Sequence, residues 1–224
     1  SREAFKILWE YDIDINNLKC PKSKTSPLEH NCSGKHAAFL ATCKKMNWPL
    51  DSYLKGDHPL QIEIFRIVSE LLKIPPSEIN AERDDCGAPT LYLKLLEMSR
   101  LYSLLSSSEN AELEQISRAM TINPIMISDN NKFDTEIIKA SHGNVIGKGG
   151  AEGIQCLCKV NEGIGLALKV EDGSKRAKHA VSLHLLKQLE WISDLRIQDI
   201  EEKVFNFSEG VRLEVKGKVK FQES

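Results

Sequence analysis

After Ser141 the spacing of apolar residues changes, and that change limits the fold more than any other feature of the sequence. Upstream, apolar positions recur every three or four residues, the period of a helix with one buried face. One stripe runs from Leu60 through Ile64, Ile67, Val68 and Leu71, opened by Pro59 at a first-turn position and closed before Pro75. A second runs from Leu91 through Leu95, Met98, Tyr102 and Leu105 into the polar loop Ser106 to Asn110. Downstream, glycines punctuate segments with a period of two, which predicts antiparallel strands. Ile154, Cys156, Cys158 and Val160 share one face of a first strand, and Ile164, Leu166, Leu168 and Val170 one face of a second. Gly165 and Ala167 leave the other face of that second strand thin enough for an element to pack closely. A turn at Glu171 to Gly173 opens a helix, Ser174 to Trp191, and "VRLEVKGKVKF" reads as a closing strand. The expectation is an α+β fold, an antiparallel sheet flanked by helices beside a helical region. It forms one domain overall, with 1–140 mainly helical and 141–224 holding hairpin, helix and terminal strand.

A chain of 224 residues with 41% hydrophobic residues can bury a substantial core. Its formal charge of −2, with no run of like charges, argues against nucleic acid or an anionic membrane as partner. No apolar run approaches the roughly 20 residues that span a bilayer. Six cysteines spread through a chain of this size predict free thiols and a reducing, cytoplasmic setting rather than a disulfide framework. Residue 1 is Ser rather than Met and leads directly into a helical pattern, so a processed or partial chain is expected.

"NCSGKHAAFL", Asn31 to Leu40, places a thiol, a hydroxyl, an ammonium and an imidazole at a helix start. With Asn31 as N-cap, residues two apart point about 200° from one another, so Ser33 and Lys35 diverge. Cys32, Lys35, His36 and Phe39 share a face. A thiol there is biased toward thiolate, the form that attacks electrophiles or binds metal; a small buried cysteine beside a surface lysine is an equally good account. In "RDDCGAPT", Asp84, Asp85 and Cys86 precede Gly87 and Pro89 in a turn leading to the Leu91 helix, where Cys86 is a second soft donor or the turn is held by an Asx hydrogen bond. Cys156 and Cys158 read as core. "GNVIGKGGAEG" lacks the spacing and hydroxyl of a phosphate loop, which leaves Lys148 on a closely approachable backbone. "SYLK", Ser52 to Lys55, matches S-x-x-K only at the level of chance.

With "NCSGKHA", "HPLQ", "DDCGAPT", "RAM", "KGGAEG" and "VEDGSKRA" in this order, the chain resembles the L-asparaginase II family, the Rhizobium-type asparaginases. The resemblance implies a fold like that of serine β-lactamases and penicillin-binding proteins, a homodimer, and hydrolysis of L-asparagine to L-aspartate and ammonia. It also implies zinc held by Cys32, Lys35 and Cys86, with Asp84 as the carboxylate beside them. Lys148 would be the lysine of the second serine–lysine pair, and His36 would line the substrate pocket. The family's nucleophilic serines lie upstream of the matched region, so the fold is expected to be incomplete at its N-terminal side. "DDCG" also puts Asp85 where the family usually has glycine. Two other readings stand beside this one: an N-terminal nucleophile hydrolase using Ser1, and a zinc-stabilised binding protein without turnover.

Overall fold

The computed structural model describes residues 2–21, 25–205 and 213–219. The chain is α+β and gathers into two compact units, Ser1–Leu93 and Lys94–Ser224. The change of spacing at Ser141 falls inside the second unit, because the helices before it pack onto the sheet after it.

The first unit is built from α1 (Arg2–Glu10), α2 (Ser33–Met46), α3 (Pro59–Leu72) and a hairpin of β1 (Asn80–Arg83) and β2 (Pro89–Tyr92). α1 packs on α2, and Leu8, Leu40, Cys43, Tyr53, Leu60 and Cys86 form the centre of its core. α3 begins as its sequence predicts, with Pro59 in the first turn and His58 Nδ1 accepting the Leu60 N–H at 3.1 Å. α2 and α3 end on left-handed residues, Asn47 and Lys73, each with a φ of 56°.

The second stripe is shorter than its spacing suggested. Leu91 belongs to β2, where Pro89 to Tyr92 alternate half-buried and exposed and pair with Arg83 back to Asn80. The helix itself, α4 (Leu95–Ser106), starts after Lys94, whose N–H is accepted by Glu97 Oε2 at 2.7 Å. Asp84 to Ala88 therefore form a hairpin loop and not a helix entry.

In the second unit α4 is followed by α5 (Ala111–Ile122), α6 (Pro124–Ser128), α7 (Phe133–Ala140), β3 (Val145–Gly149), β4 (Ile154–Lys159), β5 (Ile164–Lys169), α8 (Lys175–Gln188) and α9 (Asp194–Val204). The three strands form an antiparallel sheet in sequence order, with Cys158 opposite Gly165 and Leu157 opposite Leu166. One face carries Cys156, Cys158, Gly165 and Ala167 and is covered by α4. The other carries Val145, Leu157, Ile164 and Leu166 and packs with α7, α8 and α9 in the unit's core. The thin face has its expected use: a Cβ on Gly165 would stand 2.1 Å from the Ser99 carbonyl and 2.4 Å from the Ser103 nitrogen. α9 had no clear signal. Of the closing "strand", residues 213–219 form none; they are clipped to α8 through Gln188, whose amide bonds the Val219 carbonyl and N–H at 2.8 and 3.0 Å. The remaining residues of that segment lie outside the described residues. Among the described residues no helix is long and apolar enough to cross a membrane.

Two outcomes follow from these contacts. Gly165→Ala must push α4 off the sheet, since both obstructing atoms are main chain, and should cost about 1–3 kcal/mol or more in denaturant unfolding. His179 stacks on Phe133 with ring centroids 4.1 Å apart, and burial, then the neighbouring Lys178 charge, lower its pKa to about 4. The unfolded chain then binds a proton near pH 6.5 that the folded one refuses. Stability should therefore fall as pH drops from about 6.5 to about 4, and His179→Phe should make that part of a melting-temperature profile shallower.

Candidate functional site

The hairpin loop of the first unit is organised by one carboxylate. Asp84 Oδ1 accepts the N–H of Cys86 at 2.9 Å and of Ala88 at 3.2 Å, the Asx arrangement that its sequence allowed. Its main chain closes the loop from both sides, Asp84 N–H to the Ala88 carbonyl at 3.1 Å and Gly87 N–H to the Asp84 carbonyl at 2.9 Å. Gly87 takes the left-handed φ of +81°, which a side chain would strain. Asp85, the departure from the family pattern, is exposed and has no positive φ, so the loop accommodates its side chain in solvent.

Lys35 reaches this loop from α2 and donates to Asp84 Oδ2 at 2.9 Å. The start of α2 differs from the expected one. Cys32, not Asn31, is the N-cap, with its thiol making no capping bond. His30 does the capping: Nδ1 accepts the Cys32 N–H at 3.1 Å and its carbonyl accepts the Ser33 N–H at 3.0 Å. An imidazole two residues ahead replaces the Asn31 amide, which leaves Asn31 exposed. Ser33 is buried while Lys35 stays half-exposed, in keeping with their divergence around the helix. Cys32 is half-buried and packs against the core that contains Cys86.

Lys35, Asp84 and Cys86 thus meet in one place. Burial works against the Lys35 charge, yet hydrogen bonds to Asp84 and Cys86 raise its pKa overall. Burial likewise opposes ionisation of Asp84, and the Cys86 thiol, the Lys35 ammonium and the Cys86 N–H outweigh it, holding the carboxyl well below its usual range. Burial and the Asp84 charge push the Cys86 thiol up, against the pull of Lys35. Cys20, which sequence reasoning passed over, is buried close enough for the charge of Cys86 to act on it, and its thiol donates to the Pro27 carbonyl at 3.4 Å.

Behind this cluster His36 is fully buried. Tyr53 accepts the Lys19 N–H at 2.9 Å, and its hydroxyl shares a hydrogen bond with His36 Nδ1 at 2.6 Å. His36 Nε2 is buried without a hydrogen-bond partner among the described residues. Burial, then the Lys35 charge, lower the His36 pKa to about 4. Tyr53 gave no sequence signal beyond standing inside the chance "SYLK", whose Ser52 and Lys55 form a turn.

Lys148 lies in the second unit, exposed on β3 opposite Cys156, and its ammonium donates to the Gly149 carbonyl at 2.6 Å. Cys156 and Cys158 are buried in the sheet, as their row predicted. Among the described residues no group of three or more His, Cys, Asp or Glu side chains is arranged to hold a metal ion. A set of two cysteines and a lysine contains only two such residues.

The chain belongs to the L-asparaginase II family, whose family model matches residues 1–221. At the level of the family its function is therefore of the asparaginase type, an amidohydrolase acting on a small molecule. A search of curated proteins returns no significant match.

Asp84→Ala should loosen the hairpin and leave both loop N–H groups and the Lys35 ammonium without their acceptor, costing roughly 1–3 kcal/mol in equilibrium unfolding. Tyr53→Phe should cost a similar amount, about 1–3 kcal/mol, because it orphans the buried His36 Nδ1 and the Lys19 N–H together.

Proposed function

We propose that this chain belongs to an L-asparagine amidohydrolase and supplies its metal cluster and its second lysine. The observation that carries the reading is the meeting of Lys35, Asp84 and Cys86, drawn from two of the motifs that define the resemblance, with Lys35 and Asp84 49 residues apart. The donors suit zinc: Cys32 and Cys86 offer soft sulfur, Lys35 a nitrogen, and Asp84 a carboxylate that orients the nitrogen. Lys35 and Cys86 must each lose a proton to serve as ligands. When bound, zinc supplies a Lewis-acidic anchor that orients the substrate and organises the pocket.

The chain's own residues do the rest. Asp84 keeps the Lys35 side chain aimed and the Cys86 loop closed. Tyr53 holds the His36 ring in place through Nδ1. Lys148, as the neutral amine, takes the proton of a serine hydroxyl that attacks the side-chain amide carbon; the same proton leaves with ammonia, and water then releases aspartate. The proposed enzyme is a homodimer with a β-lactamase-like fold, in keeping with the α+β architecture.

Ser1 as an N-terminal nucleophile fits less well. Such a residue sits at a strand edge, whereas Arg2–Glu10 is helix, and Ser1 itself lies outside the described residues.

Elemental analysis of the purified protein should find zinc near one per chain, retained in the wild type and lost in Cys86→Ser. Lys35→Arg preserves a cation for Asp84 but has no lone pair, so it should remain folded and lose the metal. A folded wild type that takes up no zinc removes this ligand set. Ammonia release from asparagine, by this chain and by one extended upstream, separates the enzyme from a protein that only binds.

A further inference from the structure

The second unit contains a buried polar cluster that the proposed chemistry does not use. Asp134 on α7 and Lys178 on α8 are 6% and 5% exposed, and Gln155 on β4 is fully buried. Asp134 Oδ2 accepts the Gly149 N–H at 2.8 Å, and Oδ1 accepts the Gln155 amide at 2.8 Å. The Lys178 ammonium donates to the Gly150 and Ile154 carbonyls, both at 3.1 Å, and so spans the ends of the β3–β4 loop. A buried lysine and a buried aspartate are costly unless their bonds are needed. Here every bond they make to main chain goes to Gly149, Gly150 or Ile154, at the end of the strand that carries Lys148.

Gly149 is the point of closest approach. A Cβ there would lie 2.7 Å from Lys178 Nζ, 3.1 Å from Gln155 Oε1 and 3.4 Å from Asp134 Oδ2. Glycine is thus required not for an unusual φ but to admit the clamp. Its N–H is tied to Asp134, and its carbonyl, on the following peptide unit, receives the Lys148 ammonium, so the backbone conformation at Gly149 decides where the Lys148 side chain is held.

We infer that Asp134 and Lys178 are positioning residues for Lys148, acting through the Gly149 and Gly150 main chain. The inference rests on the reading of Lys148 as a functional lysine, but the clamp is measurable without turnover. Lys178→Met keeps the apolar stem and removes the ammonium. Hydrogen exchange in the intact protein should become at least about tenfold faster at the Gly149 N–H, while Leu157 and Leu166 in the same sheet stay within about twofold of wild type. Labelling of Lys148 by an amine-reactive acylating reagent should rise by about threefold relative to the exposed Lys45, as the Gly149 carbonyl swings free. Asp134→Asn should shift both readouts in the same direction. Gly149→Ala should mimic Lys178→Met, and the double variant should be no worse than either, because removing Nζ makes room for the methyl.

Unchanged exchange and labelling in Lys178→Met and Asp134→Asn overturn the inference. Equal acceleration throughout the sheet also overturns it, since the pair would then serve only stability. Absence of ammonia release both from this chain and from one extended upstream would instead remove the functional reading of Lys148, leaving the exchange result to decide the clamp. In active protein, a fall in kcat with KM unchanged in Lys178→Met supports the positioning role, and an unchanged kcat overturns it.

Discussion

One carboxylate ties the first unit together at its candidate site. Asp84 accepts two main-chain N–H groups from its own loop and an ammonium from a helix far away in sequence, and no neutral side chain offers three such acceptances. The loop bonds fix where Cys86 stands, and the Lys35 bond fixes the loop against α2. Removing the charge would therefore loosen position and electrostatics together, which is why the loop, the helix start and the buried thiol behave as one object.

The second unit uses the same device in a drier setting. Asp134 also holds a glycine-containing turn by its main-chain N–H, but its neighbouring lysine behaves differently from Lys35. Lys35 keeps part of its side chain in solvent and bonds a carboxylate directly, so its charge is favoured despite burial. Lys178 donates to two neutral carbonyls, with burial first and then the fields of Lys148 and Lys175 lowering its pKa against the pull of Asp134. The two lysines are thus driven in opposite directions by what they touch. The first can be held as a charge, while the second serves mainly as a brace between backbone carbonyls.

Local patterns in the sequence recovered what local physics decides. The period-two rows and the small residues at Gly165 and Ala167 anticipated the sheet and the close helix, because side-chain alternation and helix approach are written into neighbouring residues. The pairing of Cys32 with Lys35 followed from helix spacing even though the N-cap is Cys32 and not Asn31. What was hidden depends on partners distant in the chain. Leu91 looked helical until Asn80 to Arg83 offered it a strand partner. Tyr53 mattered only once His36 was behind it, and Lys178 could be noticed only by asking why a lysine shares the buried side of α8 with Ser182 and Leu186. Asp134 and Gln155 carry no motif at all.

On the proposed reading, the cluster passes from its protonated form to a ligating one by losing protons from Lys35 and the cysteine thiols. As an ammonium, Lys35 spends one N–H on Asp84 and has no lone pair for a metal. As a neutral amine it still has two N–H bonds, so one can remain on Asp84 Oδ2 while the lone pair turns toward the thiols. The carboxylate that stabilises the charged lysine would then become the acceptor that orients the ligating one, the relation that outer partners bear to metal ligands generally. Because Asp84 also holds the Cys86 N–H in either state, the sulfur need not move when the proton leaves. On that reading the site would be preorganised by its backbone bonds, and metal occupancy would follow the loss of protons from Lys35 and Cys86.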